Sequence, residues 1–119
     1  MPTAEPLTAT QRSVLLATLA PFADVIERVD IYGSRARGTH RPGSDVDLVM
    51  AGALDWETVA KISRAIEESQ LSIFADVTGY SLLADDPYRD ELLRTARPLF
   101  TRDELIARQG AGPGAAAGL

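Results

Sequence analysis

The chain has 119 residues, 45% of them apolar and 24% charged, with a formal net charge of −5 and no cysteine. That length fits one domain with a modest core. The absent cysteines exclude a disulfide framework or a thiolate metal site and agree with a cytoplasmic setting, and the acidic balance argues against nucleic acid as a partner, because polynucleotide binders present a basic stripe to several phosphates.

No apolar run reaches the length of a membrane span, and the opening residues, Met-Pro-Thr-Ala-Glu-Pro, lack the positive start and apolar stretch of a signal peptide. A soluble, cytoplasmic protein without membrane contact is expected. The first helix is expected from Thr8 or Thr10, carrying Val14, Leu15, Leu16 and Leu19 until Pro21 stops it. Residues 22–29 fit either a further helical turn or the approach to a strand. Val29 and Ile31 then alternate with Asp30 and Tyr32, which predicts a strand ending at Gly33.

A second strand is expected over residues 45–51, with Gly52 ending it. Asp55 can cap a helix to about Gln70, and Trp56, Val59, Ile62 and Ile66 are spaced for one buried face, which makes Trp56 a packing residue rather than a platform for a base. Arg64, Glu67 and Glu68 form a solvated face. Residues 71–78 alternate again, with Ile73, Ala75 and Val77 on one side and Phe74, Asp76 and Thr78 on the other. A loop over residues 79–85 precedes Asp86-Pro87, a helix start of the cap-then-proline type, and that helix runs to about Ala96. A short strand at residues 98–100 and one or two helical turns over residues 102–108 follow. The Gly/Ala/Pro stretch 110–119 has no charge and almost nothing to bury, so the folded domain is expected over 1–109 and a disordered tail over 110–119.

The chemistry concentrates in residues 31–50, Ile-Tyr-Gly-Ser-Arg-Ala-Arg-Gly-Thr-His-Arg-Pro-Gly-Ser-Asp-Val-Asp-Leu-Val-Met. A turn at Gly33 with Ser34 capping a short helix would present free N–H groups to a phosphate, and glycine there would let the backbone approach it. In a strand, Asp45 and Asp47 project to one side, and Val46, Leu48 and Met50 to the other. Two residues apart is roughly 6.5 to 7 Å, close enough for both carboxylates to reach one hard cation, and oxygen ligands select Mg²⁺ or Mn²⁺ over zinc. The arrangement suits a metal-bound nucleoside triphosphate. A lone aspartate at Asp76 is costly in an apolar strand unless it has a partner. It is either an edge-strand surface residue or, if its strand lies beside that of Asp45 and Asp47, the third carboxylate of a triad.

Gly33-Ser34, ten residues, then Asp45-Val46-Asp47 resembles the Gly-Ser-x10-Asp-x-Asp signature of the DNA polymerase β-like nucleotidyltransferase superfamily. The fuller wording from Tyr32 to Leu48 is similar to the minimal nucleotidyltransferases (MNT) of HEPN/MNT toxin-antitoxin pairs, over about residues 12–101. The resemblance implies an α/β fold, a mixed β-sheet with helices packed on it like the polymerase β palm. It implies two Mg²⁺ ions, about 3.5 to 4 Å apart in such sites, bridged by Asp45 and Asp47, with Asp76 holding the ion that activates the acceptor hydroxyl. Ser34 and the N–H groups after Gly33 would grip the β- and γ-phosphates, and Arg35 or Arg37 would neutralise the leaving pyrophosphate. His40 reads as an exposed loop residue that this chemistry does not need.

A chain this short must take its acceptor surface from elsewhere. The resemblance implies a separately encoded helical HEPN RNase toxin as partner, silenced by transfer of AMP from ATP to one of its tyrosines. The alternatives are a non-catalytic antitoxin that neutralises its partner by binding, and a nucleotidyltransferase acting on a small molecule. RNA as acceptor is disfavoured by the acidic charge.

Overall fold

The computed structural model describes residues 5–83 and 87–111. Helix α1 (Ala9–Leu19) begins at a capping box: the Thr8 hydroxyl accepts the Gln11 N–H at 3.0 Å, and Gln11 Oε1 accepts the Thr8 N–H at 3.0 Å. It passes into a 3₁₀ turn (Ala20–Phe22) that contains Pro21. Then follow strand β1 (Ile26–Tyr32), the short helix α2 (Gly33–Arg37), strand β2 (Val46–Gly52), helix α3 (Trp56–Glu67) and strand β3 (Ala75–Gly79). A 3₁₀ turn (Tyr80–Leu82), helix α4 (Pro87–Thr95), strand β4 (Arg97–Thr101) and helix α5 (Arg102–Ala111) complete the described chain. None of these helices is long and apolar enough to cross a membrane.

The four strands form one mixed sheet in the order β3-β2-β1-β4, with β2 and β3 parallel and the other neighbours antiparallel. The register sorts the side chains into two faces, because residues directly opposite each other point the same way. Ile31 pairs with Leu48, Val29 with Met50 and Phe100, and Leu48 with Val77. These residues form the core face, joined by Leu15 and Leu19 of α1, Val59, Ile62 and Ile66 of α3 and Leu105 of α5. On the other face Asp47 lies opposite both Tyr32 and Asp76, and Val49 opposite both Asp30 and Thr78.

The expected α/β architecture is the one observed, with differences that have local causes. Strand β3 starts at Ala75 rather than at residue 71. Its first partner is Val46, the first residue of β2, so the residues before it have no neighbouring strand to pair with. Asp55 caps α3 as expected, accepting the Thr58 N–H at 2.8 Å, but Trp56 is 68% exposed and is not a packing residue. It occupies the first position of α3, ahead of the covered part of the helix, and the buried stripe starts one turn later at Val59.

Helix α5 is longer than one or two turns and reaches Ala111, past the expected domain boundary. Arg102 Nε donates to the Ile26 carbonyl at 3.0 Å and Gln109 Nε2 to the Ala20 carbonyl at 3.1 Å, so the helix is tied down along its length. The expected cap at Asp86 lies outside the described residues, as does all of the expected tail 110–119 beyond Ala111.

The core and the exposed apolar positions should respond differently to truncation. Phe100→Ala, at a fully buried site, is expected to cost about 3–5 kcal/mol in urea unfolding, whereas Trp56→Ala should stay within about 0.5 kcal/mol of the parent.

Candidate active site

The face of the sheet turned away from the main core carries the acidic residues. Asp47, the second residue of β2, is half-buried and sits in register beside Asp76 of β3. Asp45 lies one residue ahead of β2 and, like Asp76, is exposed. The pKa of Asp47 is raised above the ordinary carboxylate value, chiefly by burial, then by the negative charges of Asp76 and Asp45. Asp47 thus lies within reach of the charges of both Asp45 and Asp76.

Beside them stands the turn at Gly33, whose φ is +76°. A Cβ at this position would come within 2.6 Å of Asp47 Oδ2. Glycine is required for its positive φ and because the Asp47 carboxylate occupies the space a side chain would take, so a close approach by protein, rather than by ligand alone, explains the residue. Ser34 does not cap α2. The N-cap is Tyr32, in extended conformation and without a side-chain hydrogen bond to the helix. Ser34 is instead the second residue of α2, and its carbonyl accepts the Thr39 N–H at 2.9 Å, which closes the helix after the left-handed Gly38.

Arg35 departs most from expectation. It is 3% exposed, and its guanidinium is spent on backbone carbonyls: Nη1 donates to Pro6 at 2.7 Å, Nη2 to Ser44 at 2.7 Å and to Pro42 at 3.2 Å, and Nε to Ser44 at 3.3 Å and Asp45 at 3.4 Å. A planar fork with five N–H donors suits this task, which a lysine could not copy. Arg35 is a clamp on the loop that delivers Asp45, and is not available to a phosphate. Burial lowers its pKa, opposed by the charge of Asp45. His40 is half-buried rather than exposed, with its pKa lowered first by burial and then by the Arg35 charge.

Arg37 remains exposed. It lines a cleft of about 190 Å³ with Tyr32, Gly33, Asp47 and three residues of α4, Glu91, Leu92 and Thr95. Of the two arginines singled out from the sequence, this is the one that lines the cleft with Asp47. The contribution of α4 was not foreseen, since the helix carries only ordinary amphipathic spacing.

A second polar group on the same face, this one buried, was also missed. Asp30, 4% exposed, accepts Arg28 Nε at 2.8 Å and the Tyr80 hydroxyl at 2.6 Å, and Arg28 lies over the Tyr80 ring. The Tyr80 pKa is pushed up to about 12, first by burial, then by its hydrogen bond to Asp30 and that carboxylate's charge. The sequence did hold a signal, because a lone aspartate between Val29 and Ile31 carries the same partner requirement as Asp76.

Among the described residues no three His, Cys, Asp or Glu side chains are arranged to hold a metal ion. The chemistry of the donor set nonetheless fits a hard divalent cation: Asp47 and Asp76 stand in register on neighbouring strands, the charge of Asp45 reaches Asp47, and a bound cation would offset both the burial and the repulsion that raise the Asp47 pKa.

A mixed sheet with paired acids in register beside a Gly-Ser turn defines the class as nucleotidyltransferase. The family model described as Polymerase beta, Nucleotidyltransferase matches residues 16–105, and the chain belongs to that family. No curated protein matches it. A crystal structure of a toxin-antitoxin with AMP-PNP is similar in fold, with a TM-score of 0.62 and 15% identity over 78% of this chain and 77% of that one. A candidate minimal nucleotidyltransferase of known structure shares 28% identity over 75% of this chain and 89% of its own, with a TM-score of 0.55. The toxin-antitoxin MntA-HepT matches with a TM-score of 0.51 and 14% identity, over 93% of this chain and 82% of that one.

Two outcomes follow from the site's electrostatics and its clamp. Folded Asp47 keeps its proton to higher pH than the unfolded chain does, so stability is lost as pH rises from the ordinary carboxylate range through the elevated folded value. Asp47→Asn should therefore melt higher than the parent at neutral pH, with the difference fading in acid, as read by thermal melts across a pH series. Arg35→Lys should cost about 2–3 kcal/mol in urea unfolding, because buried carbonyl acceptors lose charged donors.

Proposed function

We propose that this chain is a metal-dependent nucleotidyltransferase that moves AMP from ATP to a tyrosine hydroxyl of a helical HEPN-type RNase toxin, and so acts as the antitoxin of the pair. The observation that carries this reading is the register of Asp47 with Asp76, with Asp45 at the head of β2, on the sheet face beside the Gly33–Ser34 turn. Membership in the nucleotidyltransferase family supports the reaction class. The fold shared with structures described as toxin-antitoxin complexes, one of them with AMP-PNP, supports the partner and the nucleotide.

In this mechanism the N–H groups and hydroxyl at Gly33 and Ser34 hold the β- and γ-phosphates, and Arg37 meets the charge that builds on the leaving pyrophosphate. Asp45, Asp47 and Asp76 would hold the metal. When bound, Mg²⁺ or Mn²⁺ neutralises the triphosphate and lowers the pKa of the attacking hydroxyl. The acceptor oxygen forms a bond to the α-phosphorus as the bond to the bridging oxygen of pyrophosphate breaks, and Asp76 takes the hydroxyl proton. Arg35 touches neither reactant and keeps Asp45 in place through the loop backbone.

Incubation of the full chain with ATP, Mg²⁺ and the product of the adjacent gene, followed by intact mass measurement, should add one or more AMP masses to the partner. Asp45→Ala/Asp47→Ala should reduce the rate by at least about 10²-fold. An unmodified partner whose RNase activity is still inhibited by the double variant would instead assign neutralisation by binding.

A further inference from the structure

Phe74 is the most exposed of the large apolar side chains among the described residues, at 74%. Its carbonyl accepts the Val46 N–H at 2.9 Å, so it sits directly beside the residue between Asp45 and Asp47. Burial alternates through Ile73, Phe74, Ala75 and Asp76, which puts Phe74 on the Asp76 side, roughly 6.5 to 7 Å before it along the chain. Phe74 also borders a groove of about 450 Å³ of mixed character, lined by Ile66, Leu71 and Ile73 together with Glu67 and Ser72.

The direction of the chemistry decides what this aromatic meets. The Gly33–Ser34 turn leaves β1, on one side of β2, and Phe74 leads into β3, on the other. With pyrophosphate held at the turn and the α-phosphate over Asp47, an in-line displacement brings the attacking oxygen from the side opposite the leaving group. That is the β3 side, past Phe74. A polycationic small acceptor would find an apolar wall there, whereas a polypeptide with apolar neighbours around its hydroxyl would cover it.

We propose that Phe74 is the acceptor-contacting residue of this enzyme, the surface against which an apolar segment of the protein acceptor packs as it presents its hydroxyl to Asp76. This rests on the nucleotidyl transfer reading above and adds the acceptor's side and chemistry. The residue is a determinant of acceptor binding and leaves nucleotide binding alone.

The test uses the full chain with Mg²⁺: ATP and the adjacent gene's product as acceptor probe for turnover, that product alone for acceptor affinity, and AMP-PNP without acceptor for nucleotide affinity. Phe74→Ala should weaken the affinity for that protein by about tenfold or more, the scale expected for losing one buried aromatic side chain. Its KM as acceptor should rise in step, with kcat at saturation and AMP-PNP affinity within about twofold of the parent. Phe74→Leu should recover most of the loss, and Trp56→Ala should change nothing. Unchanged acceptor affinity in Phe74→Ala, or a loss that falls on AMP-PNP instead, would overturn the proposal. If the parent transfers no AMP yet Phe74→Ala still releases the partner, the docking role stands and the transfer reading fails.

Discussion

The fold turns on a single contact, the Asp47 carboxylate lying where a Cβ of residue 33 would otherwise be. It joins the two halves of the motif in space, since the turn after β1 and the second residue of β2 can approach only if position 33 is glycine in the left-handed region. The pairing register enforces the rest. Side chains alternate with a period of two, so a slip of one residue between β2 and β3 would exchange Asp76 for a core-facing neighbour. Val46, Leu48 and Met50, all fully buried, oppose that slip from the other face. Apolar burial thus holds together acids that repel one another.

The second constraint is on the loop between α2 and β2. Its residues are polar and its turn is short, with Ser44 closing back on Arg41, and little apolar surface fixes its course. Arg35 supplies what packing does not, gathering the carbonyls of Pro6, Pro42, Ser44 and Asp45 around one cation. The segment ahead of α1 is thereby tied to the acid-bearing loop. The division between the two arginines of the motif has a helical cause: they are two positions apart on α2, so they point in different directions, one inward to the loop and one to the cleft.

How much of this was legible in the sequence follows from which forces act locally. Helices α1 and α3 announce themselves through Thr8 and Asp55, caps that act over three residues, and β1 and β2 through alternation around buried positions. The acidic pair and the Gly-Ser turn are legible because fixed spacing within one strand and one turn determines geometry directly. Trp56, the start of β3 and the true role of Arg35 depend on what lies across from them in space, which spacing does not contain. The Asp30–Tyr80 bond spans fifty residues of sequence, and only the order of strands brings those two side chains together.

That bond has a bearing on the edge of the sheet. β3 is short, parallel to its single neighbour and carries Asp76, and edge strands of this kind are the first to peel away from a sheet. Tyr80 follows immediately after β3 and reaches over β2 to Asp30 on the strand beyond, with a hydroxyl that stays protonated throughout the physiological range. The C-terminal end of the edge strand is thereby tethered to the middle of the sheet, so that fraying there must also break a bond to a central strand.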